Sequence, residues 1–147
     1  MRNTRSKEPE GGLRLPEHVL YRKSLSLMLW KPRGILDEAL VEEMVAFIET
    51  VEKRSSKPFN RFMDLSALDM VDLNFKFVFH IALHRRVSYA KYPAIKSAFY
   101  VTSQATAHYA KLHAMLTDYS PLEVNLFGDL ASAAKWLGVP IETFRME

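Results

Sequence analysis

The amino-acid sequence predicts an α/β protein built on a mostly parallel five-stranded sheet with about four helices, in the order ββαβαβαβα. Short apolar runs of strand length alternate along the chain with longer segments of helical periodicity, and turn or capping residues separate them. Strands that alternate with helices favour a parallel sheet with helices packed on it. The 147 residues, 48% hydrophobic and 25% charged, suffice for one ordinary domain with a core.

Composition bounds the organisation and the classes of function. Residues 1–15 are polar and charged and include two adjacent glycines, so we expect a flexible N-terminal segment followed by a single domain over 16–147. No stretch is apolar enough to predict a signal peptide or a transmembrane segment. The absence of cysteine excludes disulfides and Cys-ligated metals and fits a cytoplasmic protein. With a net charge of +3 and its basic residues dispersed, the chain is not expected to bind nucleic acid.

The first half of the chain predicts a hairpin, a helix and a strand. Residues 18–23 and 24–32 have strand patterns and would turn near Lys23–Ser24, and the second strand is apolar enough to be buried on both faces. Residues 36–54 carry one apolar stripe at helical spacing, and Asp37 is placed to cap that helix. Residues 59–66 predict the third strand.

Residues 72–90 form a run of ambiguous periodicity, which we interpret as the second helix. Its phenylalanines alternate as in a strand, but the run is much longer than the roughly 3–10 residues of an ordinary strand. Asp72 is a suitable N-cap. The helix would be apolar on nearly every side, which predicts burial against the sheet and against something else.

The second half of the chain repeats the alternation. Residues 94–102 predict the fourth strand, and Ser103 is placed to cap a third helix. A fifth strand and a last helix capped by Asp129 follow, and Gly138 should end that helix.

Three stretches carry a family resemblance, "GILDEALVEEM", "FMDLSALDMVDLNF" and "VNLFGDLASAAKWL". In their order along residues 18–139, they resemble the STAS family, the sulfate-transporter and anti-sigma-factor-antagonist domains that include SpoIIAA-like proteins. The resemblance implies the STAS (SpoIIAA-like) fold. In antagonist members, a serine at the entrance of the second helix is phosphorylated. Here the residues after Asp72 are Leu73, Asn74 and Phe75, so the hydroxyl is absent and the chain best resembles bacterial SpoIIAA-like proteins without this switch.

Other candidate sites are weaker. Ser66 near the helix entrance is expected to bond within a turn. His80 and His84 have the spacing of metal ligands on one helical face, but no third ligand is identifiable. Asp64, Asp69 and Asp72 could together bind Mg²⁺, although caps and turns explain them more simply. We therefore predict no metal and no cofactor.

The basic and aromatic stretch "HRRVSYAKYP" could meet an anionic group, but we interpret it as a solvated helix end. The aromatic side chains of the second helix leave three uses open. They could complete the core against the third helix, form a homodimer surface, or line an apolar ligand pocket, as in the lipid-binding CRAL-TRIO domains that SpoIIAA-like folds resemble.

We predict a non-catalytic protein-interaction or regulatory module, not an enzyme, with an unidentified protein partner and a homodimer as one arrangement. Its working surface is placed on the second helix and the loop before it. The alternative is a binder of a small apolar or lipid-like ligand between the second and third helices. The candidate surface residues are Asp69, Asp72, Asn74, Lys76, His80 and His84.

Overall fold

The structure is a computed structural model that describes residues 15–55, 58–118 and 120–146. Nearly all of the predicted flexible segment lies outside these ranges. The strands are β1 (Val19–Arg22), β2 (Leu27–Trp30), β3 (Gly34–Asp37), β4 (Asn60–Asp64), β5 (Leu68–Asp72), β6 (Ile95–Tyr100) and β7 (Leu122–Phe127). The helices are α1 (Glu38–Ser55), α2 (Phe75–Ser88), α3 (Gln104–Leu116) and α4 (Leu130–Leu137).

The main sheet has five strands in the order β1-β2-β4-β6-β7. β1 and β2 form the predicted antiparallel hairpin, in which Val19 lies opposite Trp30. The other three pairings are parallel, as the alternation of strands with helices requires. The predicted fold class, a mostly parallel five-stranded sheet with four helices, is confirmed.

A second, two-stranded sheet was missed by the sequence analysis. β3 and β5 pair in parallel, and Ile35 lies opposite Met70. Both of these side chains are exposed, so neither strand carries the buried apolar run or clean alternation that identifies a strand in sequence. β3 begins at Gly34, whose φ of 75° lies in the left-handed region that favours glycine.

The helix starts follow the capping rules, with one correction. The Asp37 carboxylate accepts a hydrogen bond from Leu40 N at 3.0 Å, and Ser103 and Asp129 cap α3 and α4 as predicted. The prediction that Asp72 caps α2 is wrong, because Asp72 is the last residue of β5. Asn74 is the cap instead, and its side-chain oxygen accepts from Phe77 N at 2.7 Å. The ambiguous run is helical, as the sequence analysis favoured.

Both faces of the main sheet are covered. On one face, Met28, Trp30 and Met63 pack with buried residues of α1, and on the other face Leu29 and Phe62 pack with α4. β2 is therefore buried on both faces, as predicted. No helix in the described ranges is long and apolar enough to cross a membrane.

Candidate functional site

The six predicted surface residues are all exposed, and two of them, Asn74 and His84, have side-chain partners on α1. Asp69 and Asp72 lie on β5, whereas Lys76, His80 and His84 lie on α2. Asn74 Nδ2 donates to Glu38 Oε2 of α1 at 3.3 Å, and His84 Nε2 lies 2.8 Å from Glu49 Oε2. Of the α2 members, Lys76 and His80 project from its solvent side.

The candidate metal sites do not assemble. His84 is engaged by Glu49, and no group of three His, Asp or Glu side chains converges on a common point within the described ranges. Asp64 belongs to a turn, where Oδ1 accepts from both the backbone N and the Oγ of Ser66, at 2.9 and 2.6 Å. Ser66 thus has the turn role that the sequence predicted, with a carboxylate as its partner.

The solvent side of α2 is an exposed apolar face, which we define as Phe75, Phe79, Leu83 and Val87. These side chains are 57%, 47%, 41% and 76% exposed. They recur every four residues and so follow one side of the helix. α2 contains no Asp or Glu, so Lys76 gives this side a positive character, and the His80 imidazole lies one turn further along the helix. The inward side of the same helix presents Val78, Ile81, Ala82 and Arg85.

A buried charge pair, which the sequence analysis did not anticipate, joins α1 to β4. Arg61 of β4 and Glu52 of α1 are essentially inaccessible to solvent, and Arg61 Nη1 lies 3.0 Å from Glu52 Oε2. Arg61 Nη2 donates to the Tyr89 hydroxyl at 2.6 Å, and that hydroxyl donates to Glu52 Oε1. The carboxylate also accepts from Phe59 N at 3.3 Å. Both carboxylate oxygens of Glu52 thus have partners.

Arg85 and His113 extend this pair into a buried polar cluster, comprising Glu52, Arg61, Arg85, Tyr89 and His113. Burial, with a further contribution from Arg61, lowers the pKa of Arg85 to about 10, so its guanidinium stays charged at neutral pH. Burial and then the two arginines lower the pKa of His113 to about 3, so its ring is neutral. Arg85 Nη2 and both ring nitrogens of His113 are buried without a hydrogen-bond partner.

A cavity of about 90 Å³ adjoins this cluster, between the sheet and helices α1, α2 and α3. Its wall is mostly apolar, and Arg85 and His113 are its principal polar members together with Thr106. The His113 ring stacks on Phe99, with ring centroids 5.8 Å apart. Apolar side chains from the sheet and all three helices complete the wall, among them Trp30, Met44, Ile48, Met63 and Ile81.

The expectation that "HRRVSYAKYP" is a solvated helix end is wrong for Arg85 and Tyr89, which are 5% and 1% exposed. The burial of Arg85 could have been predicted from its spacing along the helix. Arg85 follows Val78 by seven residues and Ile81 by four, which places it on the same inward side of α2. What the sequence could not show is that Glu52 and Arg61, from two other elements, meet that side.

Comparison with known proteins gives one similar structure. A crystal structure from Shewanella loihica PV-4, described as an uncharacterized protein of the DUF3478 family with a SpoIIAA-like fold, is 17% identical to this chain. The match covers 93% of this chain and 99% of the other, with a TM-score of 0.49. Its description names the fold that the sequence resemblance predicted. No protein-family model and no curated protein matches the chain.

Proposed function

We propose that this chain is a non-catalytic, cytoplasmic interaction module that binds a protein partner through the exposed apolar face of α2. The observation that carries the proposal is the composition of that face. Four large apolar side chains on one helix side, each at least 41% exposed, form a contiguous surface of the kind that protein interfaces cover.

The charge around the face indicates the chemistry of the partner. Lys76 and His80 flank the apolar side chains, and α2 supplies no acidic group to offset the charge of Lys76. A second copy docked by the same face would bring like charges together, which disfavours a homodimer there. We therefore propose an amphipathic segment that carries Asp or Glu beside its apolar residues and packs along this side of α2.

The proposed module does not use the serine phosphorylation that regulates antagonist members of the STAS family. The residue at the α2 entrance is Asn74, and its side chain is bonded to Phe77 N and to Glu38. Regulation of the module would have to come from another source than a serine at this cap.

Photo-crosslinking tests the proposal. A photoreactive residue in place of Leu83, in a lysate of the native cell, should yield a discrete heterologous product whose cross-linked segment is acidic and amphipathic. Lys76→Glu should abolish it, whereas Lys135→Glu, an equal charge change on exposed α4, should leave it intact. A product that joins two copies of the chain would replace the proposal with a homodimer. A product unaffected by Lys76→Glu, or none at all, would refute it.

The cavity favours a second candidate function, the binding of a small ligand. It lies between α2, α3 and α1, close to where the sequence analysis placed a pocket, but it is smaller than the several hundred Å³ of a typical ligand site. Any occupant must therefore be small. Calorimetric titration with small apolar and amphiphilic compounds would test this candidate, and the absence of any binding would exclude it.

A further inference from the structure

The buried polar cluster has one more positive charge than it can neutralise internally. The cluster holds two guanidinium groups, on Arg61 and Arg85, but one carboxylate, that of Glu52. Every described bond of that carboxylate goes to Arg61, Tyr89 or Phe59 N. An uncompensated buried charge is costly and is ordinarily paired. The excess resides on Arg85, whose guanidinium carbon lies over the Tyr89 ring at 5.9 Å.

The buried polar atoms of the cluster without a partner are Arg61 Nε, away from the cavity, and three atoms on two side chains that line the cavity. Arg85 Nη2 and the two ring nitrogens of His113 have no partner, although these side chains are only 5% and 7% exposed. Both side chains line the same cavity. Buried polar atoms without partners are uncommon in folded proteins, and an unplaced ion, water or ligand is a standard explanation.

The apolar lining and the volume of the cavity limit the shape and size of a ligand. Phe77 precedes Arg85 by eight residues on α2, so about 12 Å of helix separates the half-buried apolar end of the cavity from its polar end. A dry cavity of roughly 150 Å³ holds benzene. A volume of about 90 Å³ therefore suits a tail of only a few carbons.

We infer that the cavity binds a small monocarboxylate with a short apolar tail, whose carboxylate lies against Arg85 Nη2 and the His113 ring. This inference rests on the ligand-binding candidate and adds the chemical class of the ligand. A carboxylate supplies the missing negative charge and accepts from Arg85 and from a neutral imidazole N–H together. The tail lies among the apolar side chains of the three helices.

Calorimetry on the purified full chain tests the inference, with butanoate as the probe and butanamide as its neutral counterpart. We expect butanoate to bind at least roughly tenfold more tightly, because charge-assisted hydrogen bonds are the stronger ones. Arg85→Met should remove that preference, and Lys76→Met, which deletes an exposed charge from the same helix, should not. The ¹⁵N signals of the His113 ring should shift on titration with butanoate in the parent chain.

The possible outcomes test two hypotheses separately, that the cavity is a binding site and that its ligand is a carboxylate. Equal binding of both probes, unaffected by Arg85→Met, would overturn the carboxylate inference and leave a ligand site. Binding of neither probe at millimolar concentration would overturn the site itself. Arg85→Met removes a buried charge without a carboxylate partner, so we expect it to remain folded, and its unfolding curve establishes this independently.

Discussion

At the scale of single residues, Glu52 is the side chain on which the buried charges most depend. It is the carboxylate that contacts Arg61, and it accepts the Tyr89 hydroxyl. A buried ion pair contributes little net stability relative to an apolar replacement. Removal of one partner is costly, however, because the remaining charge is then buried without an opposite charge beside it.

We predict that Glu52→Gln destabilises the fold by about 3–5 kcal/mol, because two guanidinium groups then lack a carboxylate. Urea denaturation of parent and variant measures the difference. Glu49→Gln, one turn earlier on α1, is the matched control and should cost less than about 1 kcal/mol, since its pair with His84 is partly exposed. Equal effects of the two changes would contradict the buried pair.

Tyr89→Phe isolates a single hydroxyl in the same cluster. The hydroxyl accepts from Arg61 Nη2 and donates to Glu52 Oε1, so its loss leaves both groups short of a partner without opening a large void. We expect a loss of about 1–3 kcal/mol in urea denaturation. The change Tyr92→Phe, on the neighbouring half-buried ring, should have a smaller effect, and the reverse order would count against the assigned bonds.

His113 should make the stability depend on pH. Its pKa is near 6.5 when unfolded and about 3 in the fold, where Arg85 and Arg61 face it and Glu52 is the carboxylate of the cluster. Between these values the unfolded chain binds a proton that the folded chain does not, so the free energy of unfolding falls as pH drops from 6.5 toward 3.

Because other groups titrate over this range, the comparison is between variants. The contribution of His113 approaches about 1.4 kcal/mol per pH unit well below pH 6.5. His113→Gln should flatten the pH dependence by that amount in urea denaturation from pH 7 to pH 4. His108→Gln, an exposed position on α3, should leave the slope unchanged. A slope that His113→Gln does not alter would show that this ring is accessible to protons in the fold.

At the scale of elements, the start of α2 decides how the resemblance to phosphorylated domains should be interpreted. Asp72 is the last residue of β5 and belongs to the two-stranded sheet. The helix therefore begins two residues after the position expected from sequence. Asn74 therefore occupies the cap, where a polar side chain is needed for Phe77 N. The loss of the hydroxyl at this position is compatible with an intact helix start.

The cap yields a prediction with two arms. Asn74→Ala should destabilise the fold by about 0.5–2 kcal/mol, whereas Asn74→Ser should be nearly neutral, because Ser caps as well as Asn. Asp72→Ala should cost less than Asn74→Ala, since Asp72 caps nothing. Chemical denaturation of the three variants provides the measurement. A larger loss for Asp72→Ala would restore the original cap assignment.

At the scale of the whole molecule, the periodicity and capping rules predicted the main helices and strands, but they did not predict contacts between residues distant in sequence. The five strands, four helices and three of the four caps follow from periodicity and capping residues, which are properties of short segments. The β3–β5 sheet was missed because its strands are short and half exposed. The buried polar cluster was missed because Glu52, Arg61 and Arg85 each look like an ordinary charged residue in its own segment, and only the packing of three elements brings them together.

The candidate site shows the same division between what a segment reveals and what packing decides. The sequence placed the working surface on α2, and the structure leaves Lys76 and His80 free on its solvent side while it engages Asn74 and His84 with α1. The sequence alone indicated that α2 is apolar on nearly every side. Which apolar residues face the core and which face solvent depends on the helix rotation that α1, α3 and the sheet impose.

That rotation gives the last prediction, since it separates residues that stabilise the fold from residues available to a partner. Leu83 is 41% exposed and Ile81 is 8% exposed, although both are aliphatic and two positions apart. Leu83→Ser should cost about 1 kcal/mol, because the side chain is partly covered, and Ile81→Ser should cost several kcal/mol, because it leaves a cavity and an added hydroxyl in the core. Urea denaturation measures both. If Leu83→Ser were as costly as Ile81→Ser, that side of α2 would be covered in the free protein, and a face that is already covered could not be the surface on which the proposed partner docks.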